Sequence, residues 1–426
     1  MVQFDTYTDD YPQTMSVEWY RGTTLLTSET YNVDSAEYFC NTPVQAYNKI
    51  VITIGNMTRA NRFLKIFNIT DGISRQFYND ELENVEIIEQ ITNNVNALNI
   101  NEASLRILPQ SSAGILFQRT LPFSIYRNEV LLGKFFVNTS TSNTDKTLFS
   151  VKVNDYISML EGQSYLGGLY SNATVSSVIA DILGTIPYTL DSTLGAKTIS
   201  GYLPILNKRE ALRQVAFCVN ALVDTSRSTN IIIKPLPTTV TRTIPQSEIV
   251  SIETTEENIT TKIELETTSL VTKKRQEADD IFEGKLNGGT TSIIFDSPKF
   301  DLSITNGTIN SSNLNYAIIT GTGTTTTLTG KDYQEAVATS SKTNPYVVTT
   351  DVEKLEAYQT TLTCDTPVID NLQFVQYKIK SKFMMRNTKV GDLVNLNGQV
   401  ARVMSLSYDA GQTVIWCNAE LEAYYE

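Results

Sequence analysis

No histidine occurs anywhere in the 426 residues. Histidine is the side chain that changes charge nearest neutral pH, the usual general base and the usual partner of a nucleophilic Ser or Cys. Its absence excludes Ser-His-Asp and Cys-His catalysis and every imidazole-held metal, but not hydrolysis by a carboxylate pair. Cysteine is scarce. Cys40, Cys218, Cys364 and Cys417 lie far apart with no C-x-x-C, so no clustered thiolate site for zinc is written in the chain. Cys218 falls on an apolar helical face and reads as core filling. Long apolar runs are missing too, with nothing near the ~18 consecutive apolar residues of a membrane helix. The opening MVQFDTYTDDYPQ has no basic segment followed by an apolar run, so synthesis in a cytoplasm without a secretory signal is expected, which argues against disulfides. Clustered positive charge is also lacking. The net charge is −12, and the longest basic run, Lys273-Lys274-Arg275, is followed by Glu277, Asp279 and Asp280. Tracking a phosphate backbone needs clustered Lys and Arg, so no direct nucleic-acid grip is expected.

What is present is core-forming material. Hydrophobic residues make up 41% and charged residues 19%, a globular composition and not that of a disordered acidic chain. The length suggests about three domains. Thr, Ser and Asn are abundant among β-branched residues, which favours strands and polar loops. Lys49–Ile54 and Arg62–Phe67 are expected as strands, with a turn at Asp71-Gly72. Val85–Ile91 and Ala103–Leu108 follow. Leu121–Arg127 and Val130–Val137 form a hairpin around Asn128-Glu129, and Thr147–Val153 alternates with period two. The period then changes. Val175, Val178, Ile179, Ile182 and Leu183 share one helical face, with Thr174 as N-cap and Gly184 as stop. A second helix starts after Asn207, which with Glu210 resembles a capping box; its apolar stripe runs through Leu212, Val215, Ala216, Val219, Leu222 and Val223. Ile231–Ile233 reads as a buried strand. Strands resume after Thr238, including Ser292–Phe295, Asp301–Ile304 and Ala317–Thr320 in a Thr/Gly-rich stretch. Val368–Lys380 is expected as a helix. Leu393–Leu396 is expected as a strand, and Val400–Tyr408 and Thr413–Leu421 as a closing hairpin.

Candidate chemistry is thin. Acidic pairs occur at Asp9-Asp10, Glu256-Glu257, Asp279-Asp280, and Glu83 with Glu86. A glycosidase needs two carboxylates about 5–10 Å apart across a cleft, and sequence neighbours on strands point to opposite faces. Trp19, Tyr20, Tyr38 and Phe39 could stack on a sugar or fill a small core. Arg209, Arg213 and Arg227 could bridge subunits or sit in solvent. The N-x-S/T sites at Asn56, Asn68, Asn172 and Asn306 follow from composition. No catalytic, cofactor-binding or metal-ligating residue is assigned, and no enzyme activity or cofactor is expected.

The segment Gly201–Ser228, GYLPILNKREALRQVAFCVNALVDTSRS, resembles the middle region of baseplate hub-like tail proteins from phages and phage tail-like particles of Gram-positive bacteria. Tyr165–Tyr170, Leu132–Val137, Val153–Asp155, the stretch 298–330 and Lys389–Leu396 belong to the same pattern, so the likeness covers roughly residues 84–426. The resemblance implies a mainly β (α+β) fold with two hub-type β-barrels, a small helical middle domain and an N-terminal β-sandwich. The implied layout is 1–80 as a discoidin-like sandwich, 81–160 as the first barrel, 161–238 as an α/β middle domain, and 239–426 as the second barrel with an inserted β-unit near 282–345. It further implies a homotrimeric ring joining a sixfold tail tube to a threefold spike, as in contractile injection systems and bacteriocin-like particles. The implied partners are tube, spike and other baseplate proteins, without membrane insertion, in a virion or tail-like particle made in the host cytoplasm. The alternative is a receptor- or cell-wall-binding tail protein that uses residues 1–80; a carboxylate-based wall hydrolase is a further rival.

Overall fold

The computed structural model describes residues 2–5, 8–38, 40, 42, 44, 47–69, 77–92, 97–109, 117, 119–145, 147–255, 260–272, 276–286, 288–347 and 354–425. Strand dominates, and the chain divides into two units, residues 1–76 and 77–426.

In the first unit, Thr14–Arg21 is the central strand of a three-stranded antiparallel sheet between Thr24–Asn32 and Lys49–Ile54. Its alternation sends Met15, Val17 and Trp19 into a core with Val2, Phe4, Val33 and Ala36. A second small sheet joins Val2–Gln3 to Glu37–Tyr38 and Asn68–Ile69. Arg62–Phe67 is not a strand, and Phe63 is 87% exposed. Phe63-Leu64 and Ile66-Phe67 are adjacent apolar pairs, so an extended chain would put apolar groups on both faces, and one core cannot take both. Asp71-Gly72 lies outside the described residues.

The second unit is organised by an eleven-stranded sheet. Its strands in chain order are β1 (Leu82–Gln90), β2 (Glu102–Ile107), β3 (Pro122–Arg127), β4 (Val130–Ser142), β5 (Phe149–Asn154), β6 (Val240–Ile244), β7 (Ile249–Thr255), β8 (Val375–Met384), β9 (Leu393–Leu396), β10 (Gln399–Asp409) and β11 (Trp416–Tyr424). The order is β7-β8-β11-β10-β1-β2-β5-β4-β3, with β9 paired to β10 and β6 paired in parallel to β9. β10 makes the union possible. Its first residues pair with β9, and Ser405–Asp409 pair with β1 on that same flank. Strands 82–154 and strands 240–424 thus share one hydrophobic core, in which Ile87 and Val153 pack with Ile379, Phe383 and Leu406. The β3–β4 hairpin turns through Asn128 and Glu129, both with positive φ (47° and 66°), as a type I′ turn requires.

Between the two strand groups lie α1 (Tyr156–Glu161), α2 (Val175–Leu183), α3 (Ser192–Gly195) and α4 (Lys208–Val219). Thr174 caps α2 and Asn207 caps α4, its Oδ1 accepting the Glu210 N–H at 2.8 Å. The apolar faces of α2 and α4 meet in a second core. The stripe expected to run on to Val223 stops earlier. Asn220 takes the left-handed conformation (φ 53°), and Ala221–Asp224 is a strand. Asn tolerates that conformation and ends the helix, which releases Leu222 into the core of the long sheet.

The expected helix at Val368–Lys380 is also absent. A single 3₁₀ turn, Val368–Asn371, precedes β8. In β8, Ile379, Ser381 and Phe383 are buried while Lys378, Lys380 and Lys382 are exposed, so the period of two decides the structure. The Thr/Gly-rich region forms two three-stranded sheets, 279–285/325–332/299–305 and 290–294/316–321/307–312, around Phe295, Ala317, Ile319 and Leu328. A further sheet sets Gln334–Thr343 beside Lys262–Val271, with Leu355–Thr360 on the other side.

Candidate functional site

The acidic pairs do not converge. Asp10 is buried and its Oδ1 lies 2.7 Å from Arg59 Nε, while Asp9 is exposed. Glu83 pairs with Arg106 at 3.1 Å, and Glu86 faces solvent. Asp279 lies 3.8 Å from Lys299 on the Thr/Gly-rich sheet, with Asp280 exposed next to it. Glu256-Glu257, the Lys273-Lys274-Arg275 run and Phe39 lie outside the described residues. The aromatic group also divides: Trp19 is core, Tyr20 lies on the other face of its strand under Lys49, and Tyr38 packs against Tyr31. Asn172, at a register shift in the strand Gly168–Thr174, and Asn306, in the bend between two strands, both have positive φ.

Each of the three arginines is bonded within the chain. Arg209 Nε donates to the Leu98 carbonyl at 3.0 Å, and Arg213 grips Glu210 on its own helix. Arg227 leads to a densely bonded place in the fold. It belongs to the loop Asp224-Thr225-Ser226-Arg227-Ser228, which ends the segment that carries the family resemblance. Asp224 turns the loop by accepting from Ser226 N and Oγ at 2.8 and 2.6 Å, an Asx-type turn. Arg227, at φ 52°, then points into the long sheet. Its Nε and Nη2 donate to the two carboxylate oxygens of Glu89 on β1 at 3.0 and 3.2 Å. Nη2 also donates to the Thr388 carbonyl at 2.8 Å. Tyr408 of β10 completes the set by donating to Glu89 at 2.7 Å.

A second network adjoins it. Asp155 caps α1 by accepting from Ile157 N at 3.0 Å, and its other oxygen accepts from Asn101 N at 2.9 Å and from the Thr225 hydroxyl. Asn101 donates to Thr225 through Nδ2 at 2.9 Å and accepts from Gln90 N at 2.8 Å. The five-residue loop therefore fastens β1, the end of β5, α1, β10 and the 385–388 turn to one another.

Burial sets the electrostatics. Glu89 is 1% exposed; desolvation pushes its carboxyl above the ordinary range, opposed by the Arg227 guanidinium. Burial is the largest single influence on Arg227 and works to lower it, but the charges and hydrogen bonds of Glu89 and Tyr408 together outweigh it, so the guanidinium is held above its usual value. Burial raises Asp155 to about 6 against the hydrogen bonds that favour its charged form. In both networks each carboxylate oxygen is already engaged by the chain. Such an arrangement orients and locks.

The sequence held one signal for this joint that composition hid. Along β1, Val85 and Ile87 face the core and Glu89 continues that phase, so a charged residue sits where the alternation calls for an apolar one. A buried acid on a core face needs a cation, and Arg227 is that cation. Asn101, Asp155 and Tyr408 carried no such mark.

No protein-family model and no curated protein matches the chain. Solved structures are similar at low identity. A 43 kDa tail protein of prophage MuSo2 from Shewanella oneidensis is 8% identical with TM-score 0.46, covering 79% of this chain and 93% of that one. A tail protein from Neisseria meningitidis is 8% identical with TM-score 0.48, covering 80% and 92%. A prophage tail protein from Listeria monocytogenes is 11% identical with TM-score 0.46, covering 84% and 91%.

Proposed function

We propose that the chain is a structural, non-enzymatic component of a phage-type tail or tail-like particle and serves as the baseplate hub. The observation that carries this reading is the joint itself. The segment Gly201–Ser228, which bears the resemblance to hub-like tail proteins, supplies α4 and the 224–228 loop, and that loop fastens the two strand groups of the long sheet through Glu89, Asp155 and Tyr408. In this reading residues 81–160 and 239–426 are the two barrel-derived halves, 161–238 is the connector, the unit near 282–345 is an insertion, and 1–80 is the N-terminal sandwich. Three copies present six such halves to a sixfold tube and keep threefold symmetry for a spike.

Exposed edges support assembly. Among the described residues, β7 and β3 end the long sheet, and Val250 and Tyr126 on them are 60% and 61% exposed. Unguarded edge strands are what a second chain pairs with. Because the rotation between copies must close, the contact is head-to-tail and self-limiting.

The test is copy number. Native mass spectrometry of the isolated chain, or of baseplates from disrupted particles, is expected to give three times the 47.5 kDa chain mass. Six equivalent copies in a particle, or a persistent monomer that enters no tail, overturns the hub. One observation favours a second role for residues 1–76: Phe63, Leu64, Phe67 and Ile69 are 41–87% exposed in the first unit, which suits a docking module for a protein partner.

A further inference from the structure

Two cysteines far apart in the chain come together at the end of α4. Cys218 lies in the last turn of α4, and Cys364 ends the strand Leu362–Cys364, which pairs with Thr198–Leu203. They are 146 positions apart, yet the Cys364 sulfur is 3.1 Å from the carbonyl oxygen of Cys218 and 2.9 Å from that of Thr366. The two cysteine side chains are close enough that each shifts the acidity of the other. The approach is enforced by backbone. At Gly201, across from Leu362, a Cβ would stand 2.1 Å from the Thr361 carbonyl oxygen, so only glycine lets this strand lie so close. Both thiols are free; Cys218 is fully buried and Cys364 half-buried.

We propose that Cys218 and Cys364 are a redox-active dithiol, which a low-molecular-weight disulfide converts to an intramolecular disulfide that pins the 362–364 strand to α4. This goes beyond the tail reading and does not depend on it. The two cysteines are unequal in the way exchange chemistry needs. The neighbouring Cys218 side chain draws the Cys364 thiol down to about 7 against the burial that opposes it, with the Thr366 backbone and the Lys197 ammonium assisting. Cys218 is pushed well above its ordinary value by the neighbouring Cys364 side chain and by burial. Cys364, with its partial exposure, is therefore the attacking group. Its thiolate attacks one sulfur of glutathione disulfide, forming a mixed disulfide and releasing one glutathione thiolate. Cys218 then loses its proton and attacks the Cys364 sulfur, and the second glutathione leaves and is protonated. Two protein thiols give up two electrons and two protons, and one disulfide becomes two thiols. Cys417 is excluded from this chemistry by full burial in the long-sheet core, where it donates to the Phe383 carbonyl.

The experiment incubates the folded full-length chain with glutathione disulfide at mildly alkaline pH, alkylates the remaining thiols and maps the peptides by mass spectrometry. The expected product is one linked peptide pair, Cys218–Cys364, two hydrogens lighter and reopened by dithiothreitol. Closing so long a loop is expected to raise the thermal midpoint by about 5–10 °C. Cys218→Ala keeps the core filled and should halt the reaction at a glutathione adduct on Cys364. Cys364→Ser should leave Cys218 unmodified in the native chain. The proposal is overturned by a lasting glutathione adduct on Cys364 in the unaltered protein, by equally abundant links to Cys40 or Cys417, by no modification while the chain stays folded, or by a link that lowers the midpoint.

Discussion

The 224–228 loop and the hairpin sheets between residues 279 and 332 draw their polar residues from much the same set, chiefly Asp, Ser and Thr with a basic side chain to pair with an acid, and they come to opposite ends. In the loop, Asp224, Thr225 and Ser226 are 3–5% exposed and each has a partner from its own turn or from another element. In the hairpin sheets most residues of these types cover the outside of a small core built, among the described residues, on Phe295, Ala317, Ile319 and Leu328, with Asn315 and Thr326 buried beside it. Each region has its ion pair, Arg227 with Glu89 and Lys331 with Asp301, at 3.0 and 2.6 Å. The difference teaches that side-chain chemistry does not set the worth of a polar contact. Removal from water does, because a buried group left without its partner cannot recover hydration.

The sharpest break in that comparison is Arg227→Ala. It strands the Glu89 carboxylate in the core, and the expected loss is about 3–5 kcal/mol in urea unfolding. Adding Glu89→Leu should return much of it, since an apolar residue then continues the inward phase of Val85 and Ile87. A single-variant loss below about 1 kcal/mol would show that water reaches the joint. Asp155 tests the adjoining network through pH. Its carboxyl is raised to about 6 from an ordinary 3.8, so the folded chain holds this proton more tightly than the unfolded one. Its stabilising contribution is therefore complete below pH 3.8 and lost as pH rises through 6. The span corresponds to about 3 kcal/mol. Asp155→Asn removes the titration, so the stability gap between the two proteins should be widest near pH 4 and narrow by pH 6.5. A gap that widens with pH would mean that the carboxylate is ionised throughout in the folded protein.

Local rules were legible in the chain, and long-range ones were not. Thr174 and Asn207 announced helix starts because an N-cap is a contact within four residues. Asn128-Glu129 announced a hairpin for the same reason. The mainly β class followed from composition. Errors arose where two periods compete. Val375–Met384 carries apolar residues at spacings a helix would accept, and its pairing with Ile249–Thr255 and Trp416–Tyr424, neither adjacent in sequence, makes it a strand. The joint was half visible, since Glu89 stands in a core phase, but its cation lies 138 residues away. Nothing in the spacing of the cysteines foretold that Cys364 would reach Cys218.

The smallest expected effect completes the contrast. Lys331 and Asp301 make the shorter of the two ion pairs, and by distance alone theirs would be the stronger. Lys331 is 30% and Asp301 62% exposed, so water competes for both charges, salt screens them, and holding a lysine chain in one rotamer costs entropy. Lys331→Ala should therefore change unfolding free energy by less than about 0.5 kcal/mol, and that small change should vanish in 1 M salt, where screening acts over about 3 Å. Arg227→Ala, by contrast, should keep nearly its whole effect in the same salt, because ions do not enter a site that is 1% exposed at Glu89. The pair of salt titrations separates burial from distance: if Lys331→Ala cost more than about 1 kcal/mol, or if both losses shrank together with salt, contact geometry and not exclusion of water would govern polar contacts in this fold.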